Sequence, residues 1–196
     1  MSKREASIKR DTKETQIQLA FAIDGSGKSE IDTGIGFFDH MLTLFAAHGH
    51  FDLTVKVKGD LEVDGHHTTE DVGICLGQAI QEAMGDAAGI TRYADALIPM
   101  DEALCQMAVD LSNRPHLGFD VPNFSGQIGQ FDAELVEEFF HALINNARFT
   151  CHIQVLKGRN LHHIAESIFK AFARVLSQAL SKDPRQTGIP STKGVL

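Results

Sequence analysis

Apolar and polar residues alternate through residues 15–24 (TQIQLAFAID) and again through 103–111 (ALCQMAVDL), the two-residue period of a strand with one buried face. The period changes to three and four in residues 66–85, where Val72, Cys75, Leu76, Ala79 and Ile80 fall on one stripe, and in 162–180, where Ile164, Ile168, Phe172, Val175 and Leu176 do the same. Extended over the chain, this reading predicts strands at 6–10, 15–24, 29–33 and 53–58, with helices at 37–48 and 66–85. It then predicts strands at 93–99, 103–111, 116–121 and 150–157, with helices at 133–147 and 162–180. The order is βββαβα, twice.

The two halves also align residue by residue. Residues 13–24 (KETQIQLAFAID) match 101–112 (DEALCQMAVDLS), so that Glu14 falls opposite Glu102, and FDLTVKVK at 51–58 matches FTCHIQVL at 149–156. The expected fold is therefore α+β, an internal duplication with two sheets covered by amphipathic helices. Residues 1–90 form the first half-repeat, 91–182 the second, and 183–196 a C-terminal tail expected to close on the active site.

One repeated segment carries chemistry. Asp64-Gly-His-His-Thr-Thr-Glu70 and Asn160-Leu-His-His-Ile-Ala-Glu166 each place two histidines before a glutamate, at the start of the last helix of a half. On a helix Glu70 shares a face with His66 and His67, and Glu166 with His162 and His163, while adjacent histidines diverge by about 100° around the axis. Each pair thus suits two metal ions better than one. Asp64 and Asn160 are the expected N-caps, and the positive helix end keeps the imidazoles neutral, as ligands must be. Aligning the halves also sets His40 opposite Glu138, with His141 and His152 as alternatives for that role. Imidazole and carboxylate without thiolate suit manganese or iron, and zinc can also be held. Hydrolysis, elimination and isomerisation stay open at this point.

Composition excludes more than it identifies. Net charge is −8 without a basic cluster, which argues against nucleic acid as a partner. No apolar run reaches membrane length and the start of the chain lacks a signal-peptide core, so a cytoplasmic protein without a membrane partner is expected. Cys75, Cys105 and Cys151 are odd in number and set in apolar segments, the pattern of buried reduced thiols. Gly25-Ser-Gly-Lys-Ser29 resembles the end of a phosphate loop, but Ala22 stands where that motif needs glycine and no helix follows; a hairpin turn is expected there. In the tail, Ser191 and Lys193 are phosphate candidates, as are Arg92 and Arg114.

Gly34-Ile-Gly-Phe-Phe-Asp-His-Met-Leu42, the Asp64 to Asp71 segment, His162 to Glu166 running into Phe-Lys-Ala-Phe-Ala-Arg174, and the terminal Pro-Ser-Thr-Lys-Gly-Val-Leu resemble the imidazoleglycerol-phosphate dehydratases across essentially the whole chain. The resemblance implies a lyase of histidine biosynthesis, a ribosomal-S5-domain-2-like fold for each half, and a small phosphorylated imidazole as substrate. It further implies two Mn(2+) per active site and a homo-oligomer of 24 subunits with sites at subunit interfaces. Carried over by motif, His40, His66, His67, Glu70, Glu138, His162, His163 and Glu166 are the implied metal ligands. Glu14, His48, Arg92, Arg114, Lys170, Ser191 and Lys193 are the implied substrate contacts, with Glu14 and Glu166 as candidates for the catalytic base.

Overall fold

The computed structural model describes residues 3–196. The first half contains β1 (Glu5–Asp11), β2 (Thr15–Ala22), β3 (Ser29–Asp32), α1 (Gly36–Gly49), β4 (Asp52–Gly59) and α2 (His66–Met84). The second contains β5 (Tyr93–Met100), β6 (Ala103–Asp110), β7 (His116–Asp120), a short pair β8 (Gln127–Ile128) and β9 (Phe131–Asp132), α3 (Leu135–Ala147), β10 (Thr150–Lys157) and α4 (Leu161–Leu180). Apart from the β8–β9 pair, the expected βββαβα order recurs in both halves.

The sheets have equivalent orders, β1-β2-β4-β3 and β5-β6-β10-β7. In each, the first three strands run antiparallel, and the edge strand joins its neighbour in parallel, β3 on β4 and β7 on β10. This corrects the expected hairpin at Gly25–Ser29, because β2 and β3 are not partners: β4 lies between them. The connecting loop folds around one carboxylate, Asp52, whose Oδ1 accepts the Ser26 and Lys28 amides at 2.8 and 3.0 Å. Amides that a phosphate would need are already used.

Strand alternation turns Ile17, Leu19 and Phe21 of β2 and Cys105, Met107 and Val109 of β6 inward, and the helices cover them. Helix α2 lies on β1 and β2, and α4 on β5 and β6, each on its own half. The helices then pair across the halves, α1 with α4 and α2 with α3. Phe172 of α4 is fully buried at this crossing, stacked on Phe45 of α1 at 5.4 Å and edge-on to Phe140 of α3 at 5.2 Å. The three cysteines are free and buried, and desolvation pushes the Cys105 thiol up to about 12.

The α2–α3 pair approaches through glycines. A Cβ added to Gly77 would lie 2.4 Å from the Leu143 carbonyl oxygen and 2.9 Å from the Ala147 amide, with the α3 backbone unable to yield as a side chain would. Gly77→Ala is expected to cost about 1–3 kcal/mol by overpacking, despite alanine's better helix propensity, and the denaturant midpoint measures it. An unchanged midpoint would show that the helices can separate.

Candidate active site

Helix α4 begins as the sequence indicated. Asn160 is its N-cap, and its side-chain oxygen accepts the His162 and His163 amides at 2.9 and 3.4 Å. Helix α2 differs, because the cap position belongs to Gly65 rather than Asp64 and makes no side-chain bond there. Asp64 nonetheless accepts the His66 amide at 2.7 Å, so both histidine pairs are fixed at a helix start by an Asx side chain.

Three side chains converge from the two halves. His40 of α1 and His162 and Glu166 of α4 offer ligand atoms that all lie within 4.8 Å of one another, a grouping not repeated among the other described residues. Glu166 Oε2 is 3.2 Å from His162 Nε2 and 3.6 Å from His40 Nε2, while its Oε1 meets Lys170 Nζ at 2.5 Å. Glu166 is buried, with its side chain 10% exposed. Burial pushes its pKa up, but Lys170 and then His162 outweigh burial and hold it below the ordinary range. His40 is aimed by the β3–α1 junction, where the neighbouring Asp39 accepts the amide and hydroxyl of buried Thr33 at 2.9 and 2.5 Å. At the other end of α1, burial lowers the pKa of His48, with the Lys170 charge acting in the same direction.

The other histidines of the two motifs are held differently. His66 Nε2 is 3.9 Å from Glu70. His67 donates from Nδ1 to Asp60 at 2.9 Å, leaving Nε2 facing outward with Glu14 3.9 Å away. His163 donates from Nδ1 to Glu102 at 2.7 Å, with Asp101 3.9 Å from its Nε2. These bonds raise the pKa of both imidazoles, while that of Glu102 is held down to about 2 by His163 first and the Asn160 amide next.

Glu138 sits half-buried on α3, the helix packed against α2, without a ligand-distance partner among the histidines. His141 on the same helix faces Glu137 at 3.7 Å. His152 is turned to the outer face of the second sheet, with its ring 5.3 Å from His116, away from the helices. Arg92, Arg114, Ser191 and Lys193 line a further cleft, where the tail lies against the second half. Arg92 is buried, paired with Asp110 at 2.7 Å, and donates to the Pro190 carbonyl at 2.7 Å; Arg114 is 65% exposed with Asp110 at 3.5 Å. One chain therefore divides most of the predicted residues among three places, the α1–α4 cluster, the start of α2 and the tail cleft, with Glu138 apart from them on α3. Sequence reasoning missed Asp60 and Asp101, and gave Glu102 no role beyond its match to Glu14. The one available signal was a carboxylate at the same hairpin position in both halves.

The model of the imidazoleglycerol-phosphate dehydratase family matches residues 33–176. The chain is 57% identical over 196 residues to the imidazoleglycerol-phosphate dehydratase of Desulforamulus reducens, covering 100% of both, and 59% identical to that of Geobacillus sp., covering 98% of this chain and 99% of the relative. Among solved structures, that of the Staphylococcus aureus enzyme superposes with a TM-score of 0.83 at 42% identity, covering 91% of this chain and 99% of that one. The Pyrococcus furiosus structure gives 0.82 at 39%, covering 96% and 100%. With its whole length and its fold in common with these proteins, the chain belongs to the imidazoleglycerol-phosphate dehydratases, hydro-lyases of histidine biosynthesis.

Proposed function

We propose that the chain converts D-erythro-imidazole glycerol phosphate to imidazole acetol phosphate and water in a site that holds two manganese ions and is completed by neighbouring copies. The observation that carries this reading is the convergence of His40, His162 and Glu166 within 4.8 Å. Two imidazoles and a carboxylate, with every cysteine buried elsewhere, are a donor set suited to manganese. His66, His67 and Glu70 form the corresponding set on α2, with His163 and Glu138 as further ligands. When bound, the metals supply Lewis acidity toward the substrate's ring and hydroxyl groups.

The remaining chemistry falls to side chains. The proton to be removed lies on a carbinol carbon without an adjacent carbonyl and one carbon away from the ring, so the imidazole serves as electron sink only through the intervening carbon. The ring's electrons would expel the hydroxyl there, and the pair from the broken C–H bond would then return to the ring. Glu166 is a poor base, since Lys170 and His162 occupy its two oxygens. Glu14 is 54% exposed on the β1–β2 turn and has its nearest cation-forming neighbour, His67, 3.9 Å away, which leaves it available for the proton. The departing hydroxyl takes up a proton to become water, removal of the carbinol proton leaves the enol, and the enol tautomerises to the ketone. Arg114, Ser191 and Lys193 present the less committed groups of the tail cleft to the phosphate, while Arg92 fixes the tail through Pro190.

Assembly follows from what one chain leaves open. His66 and Glu70 are 43% and 47% exposed and gather no third ligand among the described residues of their own chain. A second copy supplying the α4 motif satisfies them, and the closed shell of 24 subunits repeats that contact. The test is release of the keto phosphate from imidazole glycerol phosphate, together with particle mass by light scattering. Chelation is expected to abolish turnover and manganese to restore it, with sites only in the assembled form. Full turnover by a chelated monomer would overturn both metal dependence and the shared site.

A further inference from the structure

The two halves orient the second histidine of their motifs with carboxylates from different places. In the first half, Asp60 is the residue directly after β4, and it accepts from His67 Nδ1 at 2.9 Å. Its amide also donates to the Glu14 carbonyl at 3.1 Å, tying the β1–β2 turn to the same point. In the second half, the residue directly after β10 is Gly158, which has no side chain to offer. A Cβ there would lie 2.5 Å from Ile164 Cγ1, so the packing of α4 excludes that solution. The carboxylate comes instead from the β5–β6 turn, where Glu102 accepts from His163 Nδ1 at 2.7 Å. Glu102 is the repeat counterpart of Glu14.

We propose that Asp60 and Glu102 are the positioning residues of His67 and His163, each holding the Nδ1–H tautomer so that Nε2 presents its lone pair to a metal. The inference rests on the metal reading above. Carboxylates behind ligating imidazoles fix ring orientation and raise ligand basicity, and their loss typically weakens metal binding about 10–100-fold. The duplicated hairpin glutamate has thereby taken two roles. Glu102 is used up in orientation, whereas Asp60 relieves Glu14 of that task and leaves its carboxylate free toward the open side of His67.

Glu102→Gln separates this role from a structural one. Glu102 Oε1 also accepts the Arg159 and Asn160 amides at 3.2 and 2.8 Å, and the glutamine oxygen can keep both bonds. Its NH2 group then faces Nδ1, which must turn acceptor and move the imidazole proton to Nε2, where it blocks ligation. Manganese affinity, read from the free-ion electron paramagnetic resonance signal, is expected to fall about 10–100-fold in Glu102→Gln and in Asp60→Asn, at the melting midpoint of the metal-free parent. Parental affinity in both variants would overturn the inference while leaving the metal site standing. A parent chain that binds no manganese would remove the metal reading itself, and this inference with it. Should Glu102→Gln fail to fold, Asp60→Asn decides the same question, since Asp60 caps no helix.

Discussion

Glu14→Gln is expected to bind manganese as tightly as the parent chain and to turn over about 10²–10⁴-fold more slowly, the range for loss of a general base. The glutamine is isosteric and keeps the turn, whose backbone is held by the Asp60 amide rather than by the Glu14 side chain. Only the proton acceptor is lost. Glu166→Gln is expected to do the opposite in one respect, shedding metal as well as activity. It removes a charge that Lys170, His162 and His40 all face, and leaves the Lys170 ammonium, 19% exposed, without its partner at 2.5 Å. The two variants are read together, with metal content and kcat measured on the same preparations. If Glu14→Gln retains parental kcat while Glu166→Gln keeps its metal and loses turnover, the base is Glu166.

Phe172→Ala is expected to destabilise the fold by about 3–5 kcal/mol, the cost of truncating a fully buried aromatic ring in a site that relaxes poorly. Relaxation is poor because Phe45 of α1, Phe140 of α3 and Phe149 of the link before β10 approach at 5.4, 5.2 and 6.4 Å between centroids, and each is itself buried. Denaturant titration of the metal-free chain measures the loss without a contribution from ligation. A loss below about 1 kcal/mol would mean that the helices close over the gap, against the jigsaw packing expected of such a core.

How much of this was legible in the sequence depends on the range of the interaction involved. Strand and helix types were readable because each is a local periodicity: Ile17, Leu19 and Phe21 repeat at two, and Ile164, Ile168 and Phe172 at four. Strand order was not, since β3 pairs with β4 over an intervening helix, and Gly25–Ser29 looks like a hairpin to any local rule. His40 was readable through the repeat and through the resemblance of the Gly34–Leu42 segment. Its meeting with Glu166 depends on α1 lying on α4, a contact that no spacing encodes. Asp60 escaped notice for a similar reason, because its reach to His67 depends on the path of a loop between strand and helix. His152 shows the converse: it is a plausible ligand by type, but the two-residue period of β10, in which Cys151 and Ile153 point inward, already sends it to the outer face.

The pairing of α1 with α4 and of α2 with α3 is the geometry of an isologous dimer contained in one polypeptide: the first helix of each half rests on the second helix of the other. In a true homodimer one gene sets both copies of every position, so a change made for one subunit is imposed on its mate. Joined in a single chain, the twins are inherited separately. A glycine after β10 can coexist with an aspartate after β4, and the same surface can keep its symmetry in outline while specialising in detail.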